Sequence, residues 1–295
     1  MESRMEAFAG IPVNRKIHKR AQDHLTLHER DGVVWGSFEG LDALSWLRHG
    51  FSTRVGGLSE GEIGSMNLSF THEDDPKRVQ ENFRRIARAI GFDPARVVRT
   101  YQSHSANVRV VRREDARCGS LGEHTFMDAD GLVTDEPGLV LSCFGSDCVM
   151  LLAADPKRKV VGCAHSGWRG TVGDIGGNLI RTMQEAFDCR GEDILTGIGP
   201  SICRDCYEVG AEVIEEFRKM YPQSAYDRLF DRKENGKYQL DLWEACALNF
   251  ERAGVPREQI YMTDLCTRCN PTLLFSARGQ KGRQTNLAAF ITILE

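Results

Sequence analysis

The stretch Val160-Val161-Gly162-Cys163-Ala164-His165-Ser166-Gly167-Trp168-Arg169-Gly170 decides the fold. Its first half is a short apolar run opening on two β-branched residues, which predicts a strand over 160–165. A helix is predicted soon after, over 174–187. The same alternation extends outward from this unit. Strands are predicted over 108–111, 139–143, 148–153, 194–198, 261–265 and 288–294, all short apolar runs rich in β-branched residues. Asp74-Asp75-Pro76 is a helix start, with a capping carboxylate and a proline in the first turn. Val79, Phe83, Ile86, Ala87 and Ile90 follow at helical spacing until Gly91. Further helices are predicted over 209–220 and 241–253. Strands precede and follow helices throughout, with no internal repeat and no low-complexity linker, so one mixed α/β domain is expected. Residues 1–30 are polar and lack a period. They read as a polar N-terminal arm or a short strand leading into a domain at 31–295. The expected flexible break inside the fold is 227–237, which is charged and contains Asn235-Gly236.

Composition narrows the function classes. The chain has 295 residues, 41% apolar and 27% charged, enough for a sizeable core. A formal net charge of -4 gives no basic field for nucleic acid or an anionic membrane. No apolar run approaches the roughly 20 residues of a membrane helix. The first residues lack the apolar core of a secretory signal, so a cytoplasmic protein is expected. Ten cysteines in such a chain read as reduced thiols or metal ligands, not as a disulfide framework.

The common catalytic signatures are missing: there is no G-x-S-x-G, H-E-x-x-H, G-x-x-x-x-G-K-[ST] or G-x-G-x-x-G. The eight histidines include no His-x-His pair, which weighs against a site holding several copper ions. Three residues at predicted strand ends stand out instead. His104 precedes the strand at 108–111, Cys148 lies between two apolar runs, and His165 closes the run quoted above. Two imidazoles and a thiolate suit zinc, and three protein ligands leave a fourth position open. Zinc lowers the pKa of water at such a position to about 7. The ordinary alternative is a pair of hydrogen-bonded histidines and a core cysteine, because these ligands form no compact signature.

Longer strings surround these residues: Thr53-Arg54-Val55-Gly56-Gly57-Leu58-Ser59, Met66-Asn67-Leu68-Ser69, Asp147-Cys148, His165-Ser166-Gly167-Trp168-Arg169-Gly170, Gly199-Pro200-Ser201-Ile202 and Cys206-Tyr207-Glu208-Val209-Gly210. Together and in this order they resemble the laccase-domain purine nucleoside phosphorylase family, formerly labelled multicopper polyphenol oxidase. The resemblance implies an α+β fold: a single domain layered α/β/β/α with mixed β-sheets. It implies zinc on His104, Cys148 and His165. It implies phosphorolysis of adenosine, inosine, guanosine and methylthioadenosine, with hydrolytic deamination of adenosine. The partners are then purine nucleosides and phosphate, and the protein a monomer or homodimer. The chain departs from the family pattern at Phe144-Gly145-Ser146 before the Asp-Cys pair, at Ser166, and at Ala277-Arg278, where one arginine replaces two.

Within that reading the catalytic residues are His104, Cys148, His165 and Arg169. Arg54 and Arg169 are candidates for phosphate or ribose, since guanidinium matches oxyanions bidentately. Trp168 is a candidate to stack on a base, and Asn67 to bond the ribose or base edge. Each has a bland alternative: a surface-turn arginine, a core tryptophan, a turn asparagine. Three rival functions follow from the same residues. Cys148 and His165 could form a metal-free cysteine hydrolase acting on an amide. The site could take copper, adventitiously or as a polyphenol oxidase. A closed tetrahedral site would instead mark a zinc-stabilised binding module.

One motif lies outside this reading. Cys203-x-x-Cys206 and Cys266-x-x-Cys269 form a four-thiolate zinc signal. The separation between the pairs is far longer than in a compact zinc ribbon, so buried free thiols or a redox-labile pair compete with it.

Overall fold

The computed structural model describes residues 2–17, 25–70, 73–116, 127–283 and 285–295. Two six-stranded sheets form its centre. The first runs, edge to edge, Ile260–Met262, Leu195–Ile198, Val149–Asp155, Val160–Ser166, Gly131–Thr134 and Val108–Val110. The second runs Leu25–Arg30, Val33–Phe38, Leu47–Ser52, Leu287–Ile293, Val140–Gly145 and Val97–Arg99. Both are mixed. Leu195–Ile198 pairs parallel with Ile260–Met262, Val108–Val110 with Gly131–Thr134, and Val97–Arg99 with Val140–Gly145, while the other pairs are antiparallel.

The two-residue period of a strand explains the layers. Along Val149–Asp155, Leu151 and Ala153 join a core with the helices Ile175–Phe187 and Leu242–Arg252. Met150, Leu152 and Ala154 point the other way and meet Leu141, Cys143, Ala289 and Ile291 of the second sheet. The outer face of that sheet, including Val140, Ala288 and Phe290, packs on the helix Pro76–Ile90. The order of layers is therefore α/β/β/α, and each central strand is buried on both faces.

The helix Pro76–Ile90 shows how local signals set an element. Asp75 caps it by accepting from the Lys77 N–H, Pro76 opens it, and Gly91 at φ 96° closes it. A cap of this kind contributes about 1 kcal/mol. Phe83 is fully buried on the inner face, and Phe83→Ala should cost about 3–5 kcal/mol. The other predicted helices appear as Ile175–Phe187, Ala211–Met220 and Leu242–Arg252.

Two regions differ from expectation. Segment 227–237 is not an open break. The strands Phe230–Arg232 and Tyr238–Leu240 pair as a hairpin, joined to Glu208–Val209 in a three-stranded sheet. Asn235-Gly236 is its turn, with Gly236 at φ 79°, and the buried side chains of Phe230, Tyr238 and Leu240 anchor it. Surface charge masked three apolar anchors. Within 1–30, Glu2–Phe8 and Ile11–Ile17 form a hairpin, and Leu25–Arg30 is the edge strand of the second sheet. Val13 and Arg15 are buried, so residues 2–17 are packed against the domain.

Candidate active site

The chain crosses between the two sheets twice at one end of the sandwich, and each crossing carries a candidate ligand. Val97–Arg99 belongs to the second sheet and Val108–Val110 to the first, with His104 between them. Val140–Gly145 and Val149–Asp155 are related in the same way, with Cys148 between them. His165 comes from the strand Val160–Ser166, whose antiparallel register sets Ser166 opposite Val149, next to Cys148. The ligand atoms of His104, Cys148 and His165 all lie within 4.8 Å of one another. The two imidazole rings meet edge to face with centroids 4.9 Å apart. The donor set can hold one metal ion.

Local backbone geometry makes this convergence possible. His104 adopts a left-handed conformation at φ 62° and Asp147 stands at φ 129°, both rare for residues with a Cβ. Gly167 leaves the space the ligands use. A Cβ there would stand 2.8 Å from His104 Nδ1 and 3.1 Å from Cys148 Sγ. Gln102 braces the floor by bonding both backbone groups of Phe144: its Oε1 accepts from the N–H at 2.8 Å and its Nε2 donates to the carbonyl at 2.9 Å.

Asp130 organises the centre, and sequence reasoning missed it. It is fully buried, directly before the strand Gly131–Thr134. Its Oδ1 pairs with His165 Nδ1 at 2.8 Å, which leaves Nε2 of that ring as the candidate ligand atom. Its Oδ2 accepts from the N–H groups of Ser103 at 3.0 Å and Ser105 at 2.9 Å, which flank His104. One carboxylate thus orients two ligands. Burial disfavours its charge, but the bonds from His165, Ser105 and Ser103 outweigh it and hold the carboxyl below its ordinary range. Burial also disfavours charge on His165, yet its bonds to Asp130 and Cys148 push the metal-free imidazole up to about 10. His104 moves the other way: burial, reinforced by His165 and Arg169, lowers its pKa against the pull of Asp130. Burial raises the Asp147 carboxyl, although Thr267, the Arg278 N–H and Ser276 all donate to it.

A cavity of about 640 Å³ opens onto the three ligands. Phe70 and Phe144 give it apolar walls, and Arg99, Gln102, Ser69 and Asn286 supply polar ones. The volume lies in the range of small-molecule sites, about 300–1,000 Å³.

The other sequence candidates lie elsewhere. Arg54 donates to the Gly64 carbonyl at 2.6 and 3.0 Å and to the Pro271 carbonyl at 2.7 Å, with its guanidinium over Phe275. Asn67 is fully buried; it donates to Asp74 at 2.9 Å and accepts from the Ser69 N–H at 3.0 Å and from Thr285. Neither lines the cavity described above: Arg54 ties the Gly64 and Pro271 segments together, and Asn67 braces the segment that carries Ser69. Trp168 packs against the helix-side core, and Arg169 lies over its ring at 4.4 Å. The aromatic faces in the cavity are those of Phe70 and Phe144. Tyr207, part of a string noted in the sequence, stands near Cys148: burial and that neighbour push its phenol up to about 12.

This chain belongs to the family described as multi-copper polyphenol oxidoreductase laccase, whose model matches residues 48–294. Within it, the chain is 35% identical over 261 residues to "Purine nucleoside phosphorylase YlmD" of Geobacillus stearothermophilus, covering 85% of this chain and 95% of that protein. It is 34% identical over 250 residues to "Adenosine deaminase RL5" of an unknown prokaryotic organism, covering 82% of this chain and 90% of that protein. The crystal structure of YlmD from Geobacillus stearothermophilus superposes with a TM-score of 0.86 at 33% identity, covering 93% of this chain and all of that one. The α/β/β/α layers inferred from the resemblance are those observed.

Proposed function

We propose that this protein is a zinc-dependent purine nucleoside phosphorylase that also deaminates adenosine. The observation that carries the proposal is a cavity of nucleoside-accommodating size opening directly onto two imidazoles and a cysteine sulfur. The relatives named as a purine nucleoside phosphorylase and an adenosine deaminase supply the reaction class. Adenosine, inosine, guanosine and methylthioadenosine are the proposed substrates, with orthophosphate as co-substrate.

The donor set fits zinc. Thiolate plus imidazole suits that ion, and the Asp130–His165 bond is the outer-shell contact that fixes a ligating imidazole. His104, Cys148 and His165 would hold the zinc ion, which would supply Lewis acidity for the deamination. Copper at the same residues is read as adventitious.

The chain's own residues account for binding and orientation. Phe70 and Phe144 offer apolar walls for a purine. Gln102 holds Phe144 in place. Arg99 at the wall and Arg169 beside His104 provide guanidinium groups for orthophosphate. Trp168 holds Arg169 by cation–π contact. Phosphorolysis then depends on holding a phosphate oxygen against C1′ as the purine departs, a matter of position and charge neutralisation. No helix among the described residues is long and apolar enough to cross a membrane, which is compatible with action on dissolved cytoplasmic nucleosides.

The test is His104→Ala. Zinc content and nucleoside cleavage should fall together; full retention of both would refute the assignment. Selective inactivation of metal-free enzyme by iodoacetamide, with chelators harmless, would instead favour a Cys148 nucleophile.

A further inference from the structure

The four cysteines that stand apart from the active site converge. Cys203 and Cys206 follow the strand Leu195–Ile198, and Cys266 and Cys269 follow Ile260–Met262. These strands are parallel neighbours, so both C-x-x-C loops leave the same edge of the first sheet on the same side. The pairing continues past the strands: Ser201 bridges Cys266, and the Thr267 N–H donates to the Ser201 carbonyl at 3.0 Å. The result closes a separation of 63 residues between the pairs.

All four sulfurs lie within 4.8 Å of one another, and Cys206 and Cys269 stand 3.5 Å apart. Four thiolates about 2.3 Å from one zinc sit roughly 3.8 Å apart, so the observed spacing matches a single ion. The Cys203 N–H also donates to Cys266 Sγ at 3.3 Å, a bond that favours a thiolate at that sulfur. Cys203 and Cys266 are fully buried, while Cys206 and Cys269 are half-buried, which leaves an entry path. Four thiolates and one divalent ion carry a net charge of two minus. Lys16, on the N-terminal hairpin, interacts with Cys203 and Cys269, and Arg268 interacts with Cys206.

We infer that Cys203, Cys206, Cys266 and Cys269 bind a second zinc ion that holds the active-site loop in place. The link is Asp147, the residue before Cys148. Its carbonyl accepts from the N–H of Ile202, next to Cys203, at 3.1 Å. Its carboxylate accepts from the hydroxyl of Thr267, next to Cys266. Both cysteine loops therefore grip Asp147, whose own φ of 129° turns the chain into Cys148. The N-terminal hairpin docks on the same segment, through the Lys16 N–H donating to the Asp264 carbonyl at 2.8 Å and the bridge between Arg15 and Leu265. The four cysteines line neither the cavity nor the His104, Cys148 and His165 cluster, so the zinc assignment stands apart from the nucleoside reading; Asp147, which lines the cavity, is the connection between the two sites.

The experiment measures zinc per chain in purified, tag-free protein, together with X-ray absorption at the zinc edge. The wild type should hold two zinc ions. His104→Ala/Cys148→Ser should hold one, with four sulfur neighbours at about 2.3 Å. Cys206→Ser/Cys269→Ser should lose the four-sulfur signal and weaken zinc binding at the remaining site about tenfold or more. If the cysteine variant fails to fold, the His104→Ala/Cys148→Ser measurement still decides. Absence of zinc from that variant, iron in its place, or a mass lower by about two daltons for a Cys206–Cys269 bond in the wild type as purified would overturn the inference.

Discussion

Asp130→Asn tests the logic of the active site at one atom. The native carboxylate accepts on both oxygens: Oδ1 faces His165 Nδ1, and Oδ2 takes the Ser103 and Ser105 N–H groups. Asparagine has the same shape but only one acceptor. Keeping its oxygen toward the serines turns the amide N–H₂ toward His165. Nδ1 must then accept, the ring proton moves to Nε2, and the ligand atom is blocked. Turning the oxygen toward His165 instead leaves the Ser103 and Ser105 N–H groups facing an N–H₂, a cost softened by their partial exposure to water. Either way the contact that would orient a ligating His165 is broken, and loss of such a contact typically weakens metal affinity 10–100-fold, or about 1.4–2.7 kcal/mol. Competition with a chromophoric chelator reads the zinc affinity, and far-ultraviolet circular dichroism checks the fold. A folded Asp130→Asn protein that binds zinc as tightly as the wild type would show that Asp130 does not set the tautomer.

Three further outcomes follow from the same geometry. Gly167→Ala should weaken zinc binding without unfolding the chain, because Gly167 at φ −74° suits alanine but its Cβ would press on His104 and Cys148; chelator competition and a melting curve separate the two effects, and unchanged zinc affinity counts against the close approach. Arg99→Ala should raise KM for phosphate at least tenfold, about 1.4 kcal/mol, with adenosine deamination changed less; equal losses in both reactions would remove Arg99 from the phosphate site. His49 is buried, its Nε2 accepts from the Phe38 N–H at 3.0 Å, and burial lowers its pKa to about 3 even with Asp42 3.8 Å away. The unfolded chain then binds the extra proton, so this contribution is present above pH ~6.5 and is lost at up to about 1.4 kcal/mol per unit as pH falls toward 3. Urea unfolding at several pH values should show a shallower acid slope for His49→Gln, and parallel slopes would exclude the effect.

The sequence revealed what is local and chemically distinctive. The helix Pro76–Ile90 announced its cap, its proline and its closing glycine within the segment itself. The convergence of His104, Cys148 and His165 was legible because few residue types can ligate a metal and all three border predicted strands. Asp130 was not legible, because an aspartate before a strand looks like any turn aspartate until the fold brings His165 against it. The surroundings of Arg54 were hidden for the converse reason: its partner Pro271 is 217 positions away, so the sequence does not show that this guanidinium bonds to backbone carbonyls. The cavity aromatics were hidden too. Trp168 is adjacent to the ligands in sequence, but the wall is built by Phe70 and Phe144, which arrive from the second sheet and its loop. The two C-x-x-C units lacked only their juxtaposition, which depends on two parallel strands more than sixty residues apart.

The most direct test of the proposed function is incubation of zinc-replete protein with inosine, with and without orthophosphate, measuring hypoxanthine and ribose 1-phosphate. The account predicts base release that requires phosphate, equimolar ribose 1-phosphate, and loss of both products in Cys148→Ser. Absence of cleavage for every purine nucleoside, or phosphate-independent release with free ribose as the product, would contradict it.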